Sequence, residues 1–407
     1  MTDDLIRGAT IAITGGTGSF GSTMARHLLD RGVEQVRVLS RDEAKQDEMR
    51  QRFGDPRLRF FIGDVRDAGS VTNALRGVDY VFHAAALKQV PSCEFFPDQA
   101  VKTNVVGSQN VIEASIDAGV QKVVALSTDK ASSPINLYGA TKLTADKLFI
   151  LGNHYAAAYP TRFAVVRYGN VMGSRGSIIP KFKAMHEAGE SLPITDLRCT
   201  RFFITLDDAV QMVLDTFEMM QGGELVVPHI PSHKVTDLAQ AVAPGAKMHD
   251  IGLRPGEKLH EEMISPEEGR RAVIVKDGKY FVLQPDFATW GYEAPADGVP
   301  VDDGFHYSSG DNDQWYTIEQ LQQMLASVTS DIGENHDLEV WENSKVTFVG
   351  AESVGAHYKV VAPADRFYDS VIDEESTTEN GEEVVLGTVF MLVGENSRDV
   401  ARAVDAR

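Results

Sequence analysis

The stretch STDKASSPINLYGATK, Ser127 to Lys142, holds an Asp-Lys pair, Asp129 and Lys130, and eight residues later Tyr138, with Lys142 four positions beyond it. Tyr138 and Lys142 lie in LYGATKLTADKLF, a segment of helical periodicity, so the spacing puts both side chains on one face. A lysine ammonium beside a phenol favours the phenolate, drawing a pKa of about 10 toward working pH and making Tyr138 a base for an alcohol hydroxyl. Asp129 and Lys130 directly follow the apolar run KVVALS. They read either as a second acid-base couple or as a strand-end ion pair facing solvent.

Such groups need rigid elements to hold them. The β-branched run ATIAIT (Ala9 to Thr14) reads as a buried parallel strand, and it is followed by a helix pattern. Strand-like runs VRVLS, LRFFIG, DYVFHAA, KVVALS and FAVVRYG alternate with helical stretches, the order of an α/β, Rossmann-type doubly wound parallel sheet. Beyond about Gly173, loops with Pro180, Pro193, Pro228, Pro231 and Pro255 mix with short helices such as LDDAVQMVLDTFEMM, and YTIEQLQQMLASV closes the unit. We therefore expect a dinucleotide-binding domain over 1–175 joined by part of 205–230, a smaller irregular substrate lobe mainly over 176–330, and an extension over 335–407. The extension carries 15 acidic against 6 basic residues. In it SKVTFVG, HYKVVA and EEVVLGTVFMLVG look like strands separated by a linker, IDEESTTENGEE; a solvated tail is the alternative.

TGGTGSFG, Thr14 to Gly21, sits between the first strand and the first helix, where glycines allow a tight turn and bring backbone N–H groups and a helix N-terminus to a pyrophosphate. Gly15, Thr17, Gly18, Ser19 and Gly21 are the candidate contacts. An oxidised nicotinamide held there adds positive charge near Tyr138. At the end of the second strand stand Ser40 and Arg41, with Lys45 nearby, a pattern that favours the 2′-phosphate of NADP; Asp42 keeps NAD as the alternative. Asp64, after the third strand, reads as an adenine ligand or a helix cap.

The composition sets outer limits. Of 407 residues, 43% are hydrophobic and 24% charged, as in a globular protein, and the formal net charge of −20 argues against nucleic acid or an anionic membrane as partner. An anionic substrate needs a local basic pocket. The two cysteines, Cys93 and Cys199, form no CxxC pair, and HEEM at His260 lacks the second histidine of a metalloprotease helix, so no catalytic metal is expected. No apolar run approaches a membrane span, and MTDDLIRG lacks a signal-peptide layout, so the cytoplasm is the expected location.

The glycine loop, the Y-x-x-x-K pair, HAAA (His83 to Ala86) and Asn104 resemble the extended short-chain dehydrogenase/reductase superfamily. More closely, SRDEAKQ, HAAALKQVP, STDKASSPINLYGATKL, YGNVMGSRGS, TRFFIT and IGLRPGEKLHEEMI resemble the configuration-inverting UDP-N-acetylglucosamine 4,6-dehydratases of the pseudaminic-acid type, over about Ala9 to Val328. This resemblance implies a lyase that moves hydride from sugar C4 to the nicotinamide and back to C6, with water lost between, so that the cofactor is recycled. It further implies Tyr138 as base at the 4-hydroxyl with Thr128 as hydrogen-bond partner, Lys130 as base at C5, and Asp129 as proton donor to the leaving hydroxyl. Retaining relatives carry Asp-Glu where this chain has Asp129-Lys130. Lys130 must be neutral for that role, and burial beside Lys142 is expected to make it so.

By the same resemblance Ala84 and Ala85 contact the cofactor, Arg201 and Arg254 hold the diphosphate, Asn170 and Glu257 bond the substrate, and Lys88 flanks the sugar. A homo-oligomer, hexamer or dimer, is also implied. Two alternatives stay open: a nucleotide-sugar 4-epimerase, which needs only the Tyr-Lys pair, and a non-catalytic NADP(H)-sensing protein on the same fold.

Overall fold

Six short apolar runs become the parallel strands β1 (Thr10–Thr14), β2 (Gln35–Ser40), β3 (Leu58–Ile62), β4 (Tyr80–His83), β5 (Lys122–Leu126) and β6 (Arg162–Val166). The computed structural model describes residues 5–172, 178–332, 377–379 and 382–384. The strands order as β3-β2-β1-β4-β5-β6, and Leu225–Pro228 continues the parallel sheet beside β6. The register sets Ile11 against Val36 on one side and Tyr80 on the other.

Strand alternation divides the core between the two faces. Ile11 and Ile13 of β1 join Met24, Leu28, Val210, Val213 and Phe217 from the helices Ser19–Asp30 and Leu206–Met219. Ala12 joins the opposite layer with Leu75, Val111, Ile112 and Phe149, from the helices Ala68–Leu75, Gly107–Ala118 and Leu137–Tyr155. This is the expected doubly wound α/β sandwich, and its strand order reverses between β1 and β4, where such sheets open a crevice at their carboxyl ends.

One part of the sheet departs from the sequence reading, which places only part of 205–230 with it. Ala272–Val275, Tyr280–Leu283 and Val299–Pro300 add three antiparallel strands beyond Leu225–Pro228, making ten in all. The hairpin turns at Lys276 and Asp277, with φ of 50° and 54°. Residues that short and apolar (AVIV, YFVL) give too few positions for a periodicity to stand out.

The remaining elements form small sheets around the crevice: Asn170–Val171 with Thr200–Ile204 and Ser232–Lys234, Leu192–Ile194 with Met248–Asp250, and Glu262–Ile264 with Tyr307–Ser308. Leu321 of the helix Ile318–Ile332 packs with Phe203 and Leu238.

Contacts separate the chain into two units, Met1–Glu334 and Asn335–Arg407. In the second, Thr377–Glu379 pairs antiparallel with Glu382–Val384. This corrects the linker reading of IDEESTTENGEE, whose Asn380-Gly381 dipeptide is a strong hairpin signal. The expected strands SKVTFVG and HYKVVA, and EEVVLGTVFMLVG beyond Val384, lie outside the described residues.

Candidate active site

The glycine loop is shaped by close backbone packing. Gly15 has φ +67°, and a Cβ there would lie 2.9 Å from Ala85 Cα, against the loop that leaves β4. A Cβ on Gly21 would lie 2.5 Å from Gly16 Cα, so the first helical turn sits directly on the loop. Gly16, passed over in the sequence, is equally constrained: its Cβ would meet Val38 Cγ1 at 2.8 Å. Gly18 is the N-cap of Ser19–Asp30 and donates its N–H to Gly15 O at 3.0 Å, with Thr17 on the turn between. A turn that no side chain can enter, set under a helix N-terminus, fits a dinucleotide pyrophosphate.

At the end of β2, Ser40 is buried and its Oγ accepts from Gln46 Nε2 at 3.0 Å. Asp42 caps the helix Glu43–Phe53 through the Lys45 N–H and pairs with Lys45 Nζ at 2.9 Å. Asp64 is not the helix cap, a place taken by Asp67; its carboxylate takes the Arg66 guanidinium at 2.5 Å and lies 3.7 Å from Arg41. The Arg41 side chain remains 55% exposed.

Tyr138 and Lys142 lie on the first two turns of Leu137–Tyr155, which Asn136 caps by accepting the Gly139 N–H at 2.8 Å. Asn104, on the π-helical turn Lys102–Val106, donates to Thr141 Oγ1 at 3.0 Å and to Leu87 O at 2.9 Å, tying this helix to the loop after β4. Behind Lys142, Asp146 is buried, accepts from Ser127 Oγ at 2.8 Å and lies 3.4 Å from Arg167, which in turn pairs with Glu268 at 2.8 Å. Burial draws the Lys142 ammonium below the usual lysine range, with Asp146 opposing.

The Asp-Lys pair forms the turn Asp129–Ala131 directly after β5, and Gly139 makes the contact possible, since a Cβ there would run into the Lys130 carbonyl oxygen. Lys130 Nζ lies 3.1 Å from Asp129 Oδ1 and 3.3 Å from Glu261 Oε1. The solvent-facing ion pair is thereby excluded for Asp129, whose side chain is 1% exposed.

Two electrostatic expectations are corrected. Burial works against the Lys130 charge, as expected, but Asp129 and Glu261 outweigh it and hold the ammonium well above the usual lysine range. For Tyr138, burial dominates and pushes the phenol up to about 12; the cation opposing this is Lys130 rather than Lys142, helped by a hydrogen bond with Thr128.

Arg201 is buried, and its Nη1 donates to Thr200 O at 2.7 Å and Leu259 O at 3.1 Å while Nη2 meets Glu257 Oε1 at 2.8 Å. It is therefore engaged with Glu257 and the loop rather than presented as an open fork. Arg254, with a 62% exposed side chain, lies 3.9 Å from the same Glu257. Its loop is seated by Gly256, which accepts from Asn136 Nδ2 at 2.8 Å. Thr128, Asp129, Lys130 and Tyr138 thus lie together, with Lys142 one turn along the helix from Tyr138, Arg201 joined to them through Glu261 and Glu257 through Arg201. Lys88 and Asn170 are exposed, on the loop after β4 and on Asn170–Val171. Glu261 is the residue that sequence reasoning missed. Its only signal is the doublet Glu261-Glu262 before an apolar strand, where alternation turns one of the two inward. Among the described residues, no group of three or more His, Cys, Asp or Glu side chains is placed to hold a metal ion, and no helix is long and apolar enough to cross a membrane.

The chain is similar to known proteins in sequence and in fold. A relative from Campylobacter jejuni (serotype O:23/36, strain 81-176), a UDP-N-acetylglucosamine 4,6-dehydratase (inverting), is 47% identical over 330 residues, covering 79% of this chain and 98% of the relative. A UDP-glucose 4-epimerase from Rickettsia canadensis is 40% identical over 332 residues, covering 78% and 96%. Among solved structures, Pen from Bacillus thuringiensis superposes with a TM-score of 0.74 at 34% identity, over 80% of this chain and 99% of that one. DesIV, a dTDP-glucose 4,6-dehydratase from Streptomyces venezuelae with NAD bound, gives 0.55 at 27% identity, over 61% and 86%. The family model for polysaccharide biosynthesis proteins matches residues 11–284, and the chain belongs to that family.

Proposed function

We propose that this protein is a UDP-N-acetylglucosamine 4,6-dehydratase that inverts C5, giving UDP-2-acetamido-2,6-dideoxy-β-L-arabino-hex-4-ulose. The observation that carries the reading is the Asp129-Lys130 couple beside Tyr138 in one crevice, because oxidation at C4 needs only the Tyr-Lys pair whereas elimination needs a further base and acid. The inverting dehydratase from C. jejuni, matched over nearly its whole length, supports it.

A nicotinamide dinucleotide supplies the hydride acceptor and donor when bound, and Gly15, Thr17, Gly18, Ser19, Gly21, Ala84 and Ala85 are the residues to hold it. We assign NADP: Ser40 offers no carboxylate to a ribose, Asp42 is spent on a cap and on Lys45, and Arg41 is exposed where a 2′-phosphate would lie. Tyr138, hydrogen-bonded to Thr128, takes the 4-hydroxyl proton as the phenolate, its own proton having first left to solvent. The 4-keto group acidifies C5, Lys130 removes that proton, and Asp129 protonates the leaving 6-hydroxyl. Since Lys130 starts as an ammonium 3.1 Å from the Asp129 carboxylate, its proton passes first to Asp129, which leaves Lys130 a neutral base for C5 and Asp129 an acid for the leaving hydroxyl. The diphosphate falls to Arg254, with Arg201 joining by exchanging Glu257 for a phosphate oxygen, and Lys88 and Asn170 flank the sugar. The domain bounds set out from the sequence, with the three added strands moved to the first domain, a cytoplasmic location and a homo-oligomer complete the proposal.

NMR of the protein with UDP-N-acetylglucosamine in deuterated water tests it. The expected product is a 4-keto, 6-deoxy sugar with deuterium at C5 in the L-configuration. Retained D-configuration would remove the role given to Lys130, and a C4 epimer would establish the epimerase reading instead.

A further inference from the structure

Glu261 comes from the second lobe, immediately before the strand Glu262–Ile264, yet its carboxylate reaches the turn that follows β5. It is 2% exposed. Its Oε1 lies 3.3 Å from Lys130 Nζ and 3.9 Å from Arg201 Nε. Its backbone is clamped on both sides by Ser309, whose Oγ accepts the Glu261 N–H at 2.9 Å and whose N–H donates to the Glu261 carbonyl at 2.8 Å. The clamp fixes where the carboxylate stands. Among the described residues, its second oxygen, Oε2, has no hydrogen-bond partner, and neither has Asp129 Oδ2. Two buried carboxylates each keeping an unsatisfied acceptor is a costly arrangement for structure alone, because buried polar atoms are ordinarily paired.

We propose that Glu261 is a positioning residue for the reaction: it holds the Lys130 ammonium opposite Asp129 and, through its own charge, sets how readily Lys130 gives up a proton. The chemistry rests on the dehydratase reading above; the assignment of charge does not. The groups facing Lys130 are Asp129 and Glu261, which favour its charge, Arg201, which opposes it, and Tyr138, whose phenol feels it. Glu261 itself faces Lys130, Asp129, Arg201 and Lys258, and burial is the main influence raising its carboxyl above the usual range. Removing the Glu261 charge leaves Arg201 less neutralised, so both effects lower the affinity of Lys130 for its proton.

Glu261→Gln keeps the side-chain shape and removes the charge. Competitive acetylation of the whole protein, read by mass spectrometry as the Lys130 rate relative to the exposed Lys181, follows the neutral fraction of Lys130. We expect that ratio to rise about tenfold at pH 8, the equivalent of one pKa unit. The Lys130-dependent limb of the kcat–pH profile should move to lower pH in parallel, and Glu261→Asp should return both toward wild type. A folded Glu261→Gln protein with an unchanged acetylation ratio, or with reduced kcat on an unshifted profile, overturns the proposal. Should Glu261→Gln fail to fold, Glu261→Asp decides by the same ratio, which must then lie at or near the wild-type value while Ser309→Ala, which loosens the clamp, raises it. Wild-type protein that produces no 4-keto sugar removes the dehydratase reading and leaves the acetylation result to stand alone.

Discussion

Lys130 stands between two buried carboxylates, and that position governs both its chemistry and its part in stability. Replacing it by methionine removes the cation between Asp129 and Glu261 and leaves only the more distant Arg201 beside Glu261, and breaking a buried pair in this way costs about 3–5 kcal/mol. Urea unfolding of Lys130→Met at pH 7 should show that loss, and the loss should shrink toward pH 5 as one carboxyl takes up a proton; equal losses at both pH values would contradict the arrangement. The same substitution acts on Tyr138. Its phenol, pushed up to about 12, loses the cation that opposes burial, so less phenolate forms at a given pH. Any C4 oxidation that remains in Lys130→Met, followed by the absorbance of the reduced nicotinamide, should therefore require higher pH than in wild type.

At the scale of elements, the reactive groups are placed by one close contact between the turn Asp129–Ala131 and the helix Leu137–Tyr155. Gly139 permits it, because a Cβ there would meet the Lys130 carbonyl oxygen. Gly139→Ala must push turn and helix apart. Misplacement of reacting groups by about an ångström costs on the order of 10²-fold in rate, so kcat should fall by about that factor while the far-ultraviolet circular dichroism stays unchanged. An active Gly139→Ala enzyme would mean that the contact does not set the geometry. This contact also marks the limit of what the sequence makes legible. β1 to β6, the glycine loop and the Y-x-x-x-K pair are local patterns, in which alternation, turn chemistry and helical spacing are written in consecutive residues. Gly139 looks like a weakness in a helix until the neighbour it must admit is known. Likewise Glu261 with Lys130, Arg167 with Glu268, and Gly256 against Asn136 are pairings between segments distant in sequence, which only the folded chain brings together. The neutral Lys130 inferred from sequence failed for the same reason: its nearest cation in the chain was visible, but its second carboxylate was not.

For the molecule as a whole, acid stability is set in part by two histidines buried in different places. His83 lies at the end of β4 with Nδ1 2.7 Å from Thr14 Oγ1, and burial, aided by Lys142, lowers it to about 3. His233 packs against Phe203 with ring centroids 4.2 Å apart, has no hydrogen-bond partner at either ring nitrogen among the described residues, and is also lowered to about 3, by burial and then by Arg201. Both stay neutral in the fold, whereas in the unfolded chain each titrates near pH ~6.5. Below that pH the unfolded state binds protons that the native state refuses, so stability falls as pH drops through the window from 6.5 toward 3, by up to about 1.4 kcal/mol per pH unit for each histidine. The net charge of −20 works in the opposite direction, since neutralising carboxylates relaxes self-repulsion, but that gain begins only as the carboxylates titrate, near pH ~4. The histidine effect is therefore separable between pH 6 and 5. His233→Phe keeps a ring against Phe203 and removes one titrating group, so its stability, measured by denaturant unfolding across that interval, should fall less steeply than that of wild type by about 1.4 kcal/mol per pH unit. At pH 7 the variant should be no less stable, because an apolar ring replaces two unsatisfied nitrogens. Equal slopes for the two proteins would mean that His233 takes up a proton in the folded state, and that the interior beside Arg201 is open to water.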